Sequence, residues 1–247
     1  MAENINSQAY WDHRFASGDW EEKQGRWQTQ CFARGQILHL KIARDFDGTI
    51  LDFGCGLGDA IPVYREHFPK ARLMGLDISS AAIEQCRQRH GTAAEFHQGG
   101  PGDIPPGVDV IIASNVLEHL DSEMEVVRRL LRKCADLYVV VPYREHPLHV
   151  EHVRSYDKEH FAALEPCERK IFACRGWSVS GKELWYRIYF LNLFRLLANR
   201  PLRNRPLQIL FHFKGMGAQD RLNFPAGRLP EESRHNEENR HSASARC

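Results

Sequence analysis

A glycine-rich turn directly after a short apolar segment is the feature of this sequence that most restricts its fold. The apolar residues 49–53 run into Gly54-Cys-Gly-Leu-Gly58. Glycine permits positive φ angles and lets a ligand approach the backbone without meeting a Cβ atom. In an open parallel sheet, the turns at the carboxyl ends of the strands are where ligands bind. The turn therefore predicts an α/β domain with a ligand site beside its first strand.

Apolar, strand-like segments alternate with helical patterns through the middle of the chain. Strands are predicted at 49–53, 72–76, 108–113 and 137–141, and helices at 60–67, 80–90 and 123–134. Strands that alternate with helices, without repeated hairpins, indicate βαβ units and a parallel sheet. Because such crossovers are right-handed, the expected architecture is a doubly wound sheet with helices on both faces.

The spacing of the glycines argues against a dinucleotide site. The turn reads G-x-G-x-G, whereas a dinucleotide fingerprint requires a glycine at the position of Asp59. An acidic side chain there would also repel a pyrophosphate. The second predicted strand ends at Asp77, where a carboxylate can accept hydrogen bonds from both hydroxyls of a ribose. These residues predict a nucleoside site without phosphate recognition.

Composition narrows the class of protein further. The 247 residues are 43% hydrophobic, and 33 basic residues nearly balance 32 acidic ones, so the net charge of +1 does not indicate a nucleic-acid partner. No apolar run reaches the length of a membrane span, and the N-terminus lacks the apolar core of a secretion signal. The seven cysteines include no C-x-x-C pair, which disfavours a disulfide framework or a zinc clip. We expect a reduced, cytoplasmic protein.

Three segments together resemble the successive motifs of class I (Rossmann-like) S-adenosylmethionine-dependent methyltransferases. They are Leu51–Gly58, Gly75–Asp77 and Asp109–Leu120. The resemblance extends over about residues 48–161. It implies an α/β fold with a doubly wound, seven-stranded, mostly parallel sheet and helices on both faces. Segments 169–174 and 208–214 would form the antiparallel edge pair of that sheet.

The resemblance implies S-adenosylmethionine as the cofactor. By the match of motifs, the three glycines Gly54, Gly56 and Gly58 would line its methionine portion. Asp52, in the strand before them, would help to fix the turn.

The later motifs supply the other expected cofactor contacts. Asp77 would hold the ribose hydroxyls, and Ser114 or Asn115 would lie beside the transferable methyl group. Asp103 is the candidate for the acid that faces the adenine amino group. It lies nearer the fourth strand than the corresponding acid of the family.

A hydroxyl acceptor must lose its proton during methyl transfer, and histidine is the side chain best suited to accept one near neutral pH. Glu118 and His119, after the fourth strand, are the first candidate pair. The alternative is that they only begin the next helix. Quinone-biosynthesis O-methyltransferases carry an additional acid three residues before such a pair, where this sequence has Asn115. No metal is predicted, and a metal-assisted O-methyltransferase of an aromatic or quinone-like acceptor is the alternative.

The second candidate cluster follows the fifth strand, in residues 142–156. It contains Glu145, Glu151 and three histidines, of which His149 and His152 are preferred as the base over His146. Similar segments occur in a methyltransferase subfamily associated with glycan and cell-envelope biosynthesis. We therefore expect O-methylation of a hydroxyl on a sugar, glycan or small metabolite, although a solvated loop would have the same composition.

The remaining segments are expected to flank a domain that spans 48–215. Residues 1–47 would form an N-terminal helical flap, about 177–206 a helical insertion, and 216–247 a polar, disordered tail. Residues 182–214 carry seven basic side chains and one acidic side chain. This aromatic, basic segment would serve as a lid, a homodimer interface or a peripheral membrane contact. A membrane- or partner-associated cofactor-binding protein is therefore a further alternative.

Overall fold

The computed structural model describes residues 5–173, 190–198 and 207–215. Its helices are α1 (Gln8–Ala16), α2 (Asp19–Glu22), α3 (Gly25–Ile37), α4 (Ile61–His67), α5 (Ser80–His90), α6 (Glu123–Leu131) and α7 (Leu191–Leu197). Its strands are β1 (Thr49–Phe53), β2 (Arg72–Asp77), β3 (Glu95–Gln98), β4 (Val110–Ser114), β5 (Asp136–Pro142), β6 (Glu168–Ala173) and β7 (Leu207–Lys214).

The seven strands form one mixed sheet in the order β3-β2-β1-β4-β5-β7-β6. Strands β1 to β5 are parallel to one another, whereas β7 runs antiparallel to both β5 and β6. The predicted fold class, with its antiparallel edge pair, is confirmed. The strand order reverses beside β1, so that the carboxyl ends of β1 and β4 border a crevice where ligands bind in such sheets.

The strand that the sequence did not predict is β3, at the edge of the sheet. Only Phe96 among its four residues is buried. A single buried side chain leaves no alternating or continuous apolar pattern, so the sequence predicts no element there.

Each face of the sheet buries its own apolar layer. Successive residues of a strand point to opposite faces, and the continuous apolar run of β4 therefore contributes to both layers. On one face, Ile50 packs with Tyr64 and Phe68 from the region of α4. On the other face, Leu51 and Leu137 pack in the cluster that contains the apolar side of α6.

Helix α1 lies across the start of α5. The carboxylate Oδ1 of Asp12 accepts hydrogen bonds from the Ser79 hydroxyl at 2.8 Å and from the Ala81 amide at 3.1 Å. A negative charge at a helix N-terminus is favourable because the unpaired amides there carry partial positive charge. This contact holds α1 against the end of the sheet where β2 terminates.

Most of the predicted insertion at 177–206, and all of the tail at 216–247, lie outside the described residues. Cys174 and Cys247 also lie outside them. Within the described ranges, none of the helices is long and apolar enough to cross a membrane.

Phe211 and Phe194 offer a matched test of the packing. Phe211 of β7 is fully buried, with its ring centroid 5.0 Å from that of Phe161, whereas Phe194 of α7 is 57% exposed. Phe211→Ala should lower the free energy of unfolding by about 3–5 kcal/mol, because it leaves a cavity in the core. Phe194→Ala should change it by less than about 1 kcal/mol. Urea unfolding measures both, and equal losses would contradict the described placement of β7.

Candidate functional site

The glycine turn adopts the backbone that its sequence predicts. Gly54, Gly56 and Gly58 have φ angles of +73°, +51° and +72°. The Gly54 amide donates to the Leu76 carbonyl at 2.7 Å, which ties the turn to the end of β2. A Cβ atom at Gly54 would lie 2.4 Å from Cγ2 of Val116. Alanine is therefore excluded at this position both by its φ angle and by its neighbour.

The carboxylate of Asp77 joins the turn to the next helix. Its Oδ2 accepts a hydrogen bond from the Gly56 amide at 2.8 Å, and its Oδ1 accepts one from the Ser79 amide at 2.9 Å. Burial raises the pKa of Asp77, while the amides of Ser79 and Gly56 act in the opposite direction. Each oxygen retains a second lone pair, so the group can still accept hydrogen bonds from the vicinal hydroxyls of a ribose.

The first cavity opens on one side of this turn. Its floor contains Gly54, Gly56 and Asp77, and its wall includes Trp11 and Phe15 of α1. Further lining residues come from the loops after β2, β3 and β4, and include Ile78, Gly99, Pro101, Asn115, Val116 and His119. This cavity has an apolar half, suited to a nucleobase, and an acid positioned for a ribose.

A second cavity shares Gly54, Gly56 and Asn115 with the first. Asp52 and Ser114 line it. The two cavities therefore adjoin at the glycine turn, and together they are called the cleft.

A chain of side-chain hydrogen bonds fixes the second cavity. The Ser114 hydroxyl donates to Oε1 of Gln36 at 2.7 Å, and Nε2 of Gln36 donates to the Tyr64 hydroxyl at 2.5 Å. Oδ1 of Asn115 accepts from Nε2 of Gln208 at 2.7 Å. Gln36 and Gln208 are functional candidates that the sequence analysis missed, because an isolated glutamine in an apolar segment carries no spacing signal.

Asp52 is the buried acid of the second cavity. Burial raises its pKa to about 7, and the charge of Asp77 acts in the same direction. The side chains of Tyr64 and Cys55 also experience its charge. A cationic ligand in this cavity would favour the ionised form of Asp52.

The structure gives two of the predicted cofactor residues other surroundings. Asp103 is exposed, and its Oδ2 accepts a hydrogen bond from the Gly100 amide at 2.8 Å. It is not among the residues that line either cavity. Gly58 is not among them either, and a Cβ atom there would lie 3.1 Å from Cys86 and from His90. Asp103 therefore closes its own loop, and Gly58 allows α5 to pack against the turn.

Glu118, His119 and His152 meet at the edge of the first cavity. Glu118 and His119 lie in a single 3₁₀ turn, Leu117–His119, after β4. One ligand-capable atom from each of the three side chains lies within 4.8 Å of the others. The two clusters that were predicted separately are therefore one site, because they follow the neighbouring strands β4 and β5.

Burial dominates the electrostatics of this cluster. It raises the pKa of Glu118, which is 1% exposed, to about 8, and it lowers the pKa of His119 to about 3. At His152, burial lowers the pKa, but the carboxylates of Glu145 and Glu118 outweigh it and raise the pKa above its ordinary value. Nδ1 of His152 lies 2.5 Å from Oε2 of Glu145.

His149 is placed differently from His152. Its side chain is 45% exposed, and its Nδ1 accepts a hydrogen bond from the Glu151 amide at 3.4 Å. His146 is exposed as well. Of the histidines in this loop, only His152 reaches the buried cluster with Glu118 and His119.

Glu151 connects this loop to α1. Its carboxylate accepts a hydrogen bond from the Tyr10 hydroxyl and lies 3.2 Å from Nε of Arg14. Trp11, which lies between Tyr10 and Arg14 in the sequence of α1, packs its ring edge-on against His119, with the ring centroids 5.1 Å apart. The sequence analysis did not identify Trp11 as a cavity residue, since aromatic side chains in a helical pattern are usually core residues.

Asp52 gives a pH-dependent test of the site. The folded pKa of about 7 lies above the ordinary value of 3.8, so the folded state holds a proton that the unfolded chain has released. The contribution of Asp52 to the free energy of unfolding should therefore fall as pH rises from about 4 to about 7. Asp52→Asn should remove this loss and be more stable than the wild type at pH 8 by about 1–4 kcal/mol, but not at pH 4.

Urea unfolding at pH 4 and at pH 8 measures the difference. The matched control is Asp47→Asn, since Asp47 is exposed two residues before β1. It should show no pH-dependent change relative to the wild type. An advantage of Asp52→Asn that is equal at both pH values would contradict the buried, proton-holding carboxyl.

Comparison with known proteins agrees with this geometry. Residues 51–138 match the family model described as a methyltransferase domain. A fatty-acid O-methyltransferase from Mycolicibacterium smegmatis is 33% identical over 106 residues, which cover 39% of each chain. A trans-aconitate 2-methyltransferase from Acidovorax sp. (strain JS42) is 34% identical over 97 residues, covering 38% of this chain and 37% of the relative. The chain thus spans less than half the length of these curated relatives.

Two solved structures have the same fold at low identity. A chain of the Haloferax volcanii complex with the Trm112 methyltransferase activator aligns with a TM-score of 0.60 at 16% identity, covering 83% of this chain and 97% of that one. The plantazolicin methyltransferase BpumL, in complex with a desmethyl analogue and SAH, aligns with a TM-score of 0.51 at 18% identity, covering 85% and 97%. The sheet therefore has the Rossmann-like methyltransferase fold, and its segment 51–138 matches the methyltransferase domain.

Proposed function

We propose that this chain is an S-adenosylmethionine-dependent methyltransferase that methylates a hydroxyl oxygen. The observation that carries the proposal is the carboxylate of Asp77. It bridges the Gly56 and Ser79 amides at the floor of a cleft lined by the glycine turn. The match of residues 51–138 to a methyltransferase domain supports the same cofactor.

The cleft has a suitable position for each part of the cofactor. The ribose hydroxyls would bind Asp77, and the adenine would lie against the apolar side chains near Ile78 and Pro101. The methionine portion would cross the turn into the second cavity, where Asp52 faces its positive charge. Asn115 lines both cavities, so the methyl group would lie beside it and face His119.

Methyl transfer is an in-line displacement, and the protein contributes mainly alignment and removal of a proton. The acceptor oxygen forms a bond to the methyl carbon while the carbon–sulfur bond breaks. The electron pair of that bond remains on sulfur, which gives neutral S-adenosylhomocysteine. The hydroxyl proton is released, and the Glu118–His119–His152 cluster is the group of titratable side chains beside the cavity that can take part in its removal.

The charges around the cleft favour a neutral acceptor. Glu118, Glu145 and Glu151 lie at the acceptor side, and Arg14 is engaged with Asp19 and Glu151. No arginine or lysine is among the described residues that line either cavity. A carboxylate acceptor would need an available cation, whereas a hydroxyl needs a group that assists deprotonation. A hydroxyl on a sugar, glycan or small metabolite fits this environment.

A second candidate is methylation of a carboxylate. The relatives named above act, by their names, on a fatty acid and on trans-aconitate, both of which are carboxylic acids. A carboxylate is already deprotonated at neutral pH, and such an enzyme would need no base. The two candidates share the cofactor site and differ only in the acceptor.

A comparison of alanine variants at Asp77 and Asp103 tests the assignment of the cofactor site. Asp77→Ala should weaken the binding of S-adenosylhomocysteine by at least about tenfold, because each lost hydrogen bond to a charged group contributes about 1.5–3 kcal/mol. Asp103→Ala should bind as the wild type does. Isothermal titration calorimetry measures both affinities, and thermal melting shows that the variants remain folded. Unchanged affinity in folded Asp77→Ala would refute the proposed cofactor site.

The chemical stability of the product distinguishes the two acceptor classes. The protein is incubated with cofactor that carries an isotopic label in its methyl group and with separate panels of neutral polyols and carboxylic acids. A methyl ether retains the label in mild alkali, whereas a methyl ester releases it as methanol. We expect label that is stable to alkali, in the polyol panel. Label released as methanol, in the carboxylic-acid panel, would favour the second candidate.

A further inference from the structure

The buried cluster beside the first cavity has the composition of a metal site. It comprises two imidazoles, His119 and His152, and one carboxylate, Glu118. One ligand-capable atom from each lies within 4.8 Å of the others. Donor atoms bound to one tetrahedral ion at bond lengths of about 2.1 Å are about 3.4 Å apart. The three groups therefore need to approach one another by no more than about 1.4 Å to share an ion.

In each of the two imidazole rings, a hydrogen bond at Nδ1 orients the ring. Nδ1 of His119 lies 3.1 Å from the Glu151 carbonyl oxygen, which only accepts hydrogen bonds. Nδ1 of His152 lies 2.5 Å from the Glu145 carboxylate. These contacts place the proton of each neutral ring on Nδ1 and leave the lone pair on Nε2. A carbonyl or carboxylate that fixes the tautomer in this way is typical of histidines that bind a metal.

The carboxyl group of Glu118 is buried without a hydrogen bond from another described residue. The residue is 1% exposed, and neither of its carboxylate oxygens accepts a hydrogen bond from another described residue. The buried hydroxyl of Tyr156 is also without a hydrogen-bond partner among the described residues. A buried carboxyl group without hydrogen bonds is costly unless a cation or a ligand satisfies it.

We propose that Glu118, His119 and His152 bind one divalent transition-metal ion. Two imidazole nitrogens and one carboxylate oxygen suit zinc, iron, cobalt or manganese, and they are a poor set for calcium or magnesium, which prefer oxygen ligands. Three protein ligands leave at least one coordination position open for a substrate oxygen. Because His119 also lines the first cavity, an ion held by these residues would lie beside that cavity.

The third ligand of the proposed site is His152, and not the residue at position 115, three residues before Glu118. An acid at position 115 would complete a local metal motif, but the residue there is Asn115. Its amide oxygen is occupied by Gln208 and its amide nitrogen donates to Ser114. His152 takes that place from the loop after β5. The site therefore depends on the adjacency of β4 and β5, not on a short motif.

The metal gives the cluster a defined role, and this role rests on the proposed function. A metal ion held by these three side chains would lower the pKa of an acceptor hydroxyl beside it, and the hydroxyl proton would pass to water as the methyl group is transferred. The resulting oxygen forms its bond to the methyl carbon, and the carbon–sulfur bond breaks, giving the methyl ether and S-adenosylhomocysteine. No oxidation or reduction takes place, and the metal is unchanged.

The test is direct binding of metal to the full chain. Protein freed of metal by chelation is titrated with Co²⁺, monitored by visible absorption, and with Zn²⁺, monitored by calorimetry. We expect one equivalent of each metal to bind the wild type. Glu118→Gln and His152→Ala should each weaken binding by at least about tenfold, since each removes a ligand. Glu145→Gln should weaken binding by about 10–100-fold, because it removes the charge that orients His152.

His149→Ala is the matched control. It removes an exposed histidine from the same loop, three residues before His152, and metal binding should remain that of the wild type. Binding of S-adenosylhomocysteine, measured on every variant, shows that the fold and the cofactor site are intact.

The outcomes separate the metal from the proposed function. Absence of stoichiometric binding to the wild type, or wild-type binding in folded Glu118→Gln, would overturn the metal site. Equal losses in His149→Ala and His152→Ala would also overturn it, because they would indicate nonspecific binding to the loop. Methyl transfer that survives complete chelation would overturn the metal's role and leave the proposed methyltransferase intact. Failure of the wild type to bind S-adenosylhomocysteine would instead refute the proposed function.

Discussion

The hydrogen bonds from the Gly56 and Ser79 amides to the Asp77 carboxylate are the interaction on which the site depends. They link the turn after β1 to the turn after β2, whose strands are paired in register at Phe53 and Leu76. Ser79 then caps α5, its hydroxyl accepting from the Ala82 amide. One buried carboxylate thus sets the shape of the glycine turn and the start of the following helix. The same carboxylate retains lone pairs toward the cleft, so stability of the turn and recognition of a ribose would use one group.

Helix α1 joins the two halves of the site. Asp12 anchors it at the N-terminus of α5, on the side where the cofactor would bind. Tyr10 and Arg14 anchor it to Glu151, in the loop that carries His152. Trp11 and Phe15 complete the wall of the first cavity from this same helix. Helix α1 is therefore held by polar contacts at two places, the N-terminus of α5 and the loop that carries His152.

The sequence predicted the architecture well because β1, β2, β4 and β5 carry apolar runs that are typical of buried strands. Strand β3 was missed because it buries one side chain. The functional residues were harder to predict. Spacing does not distinguish Gly56, which borders both cavities, from Gly58, which allows Cys86 and His90 to pack. Glu118 and His152 were predicted as members of two competing clusters. Their adjacency follows from the parallel pairing of β4 and β5, since parallel strands deliver the loops at their carboxyl ends to one edge of the sheet. The contacts within that edge depend on loop conformation, which the sequence pattern does not encode.

The distribution of charge also bears on the order of events in the proposed reaction. S-adenosylmethionine carries a positive sulfonium, and the cleft presents the buried acids Asp52 and Asp77 without an arginine or lysine among its described lining residues. Such a site would attract the cationic cofactor, and the charge of the cofactor would favour the ionised form of Asp52, opposing the burial that raises the pKa of this group. After methyl transfer, the sulfur is neutral and this attraction is lost. The buried acids Asp52 and Asp77 would therefore favour binding of the cationic methyl donor over retention of the neutral, demethylated product. The acids would contribute in this way to turnover as well as to recognition.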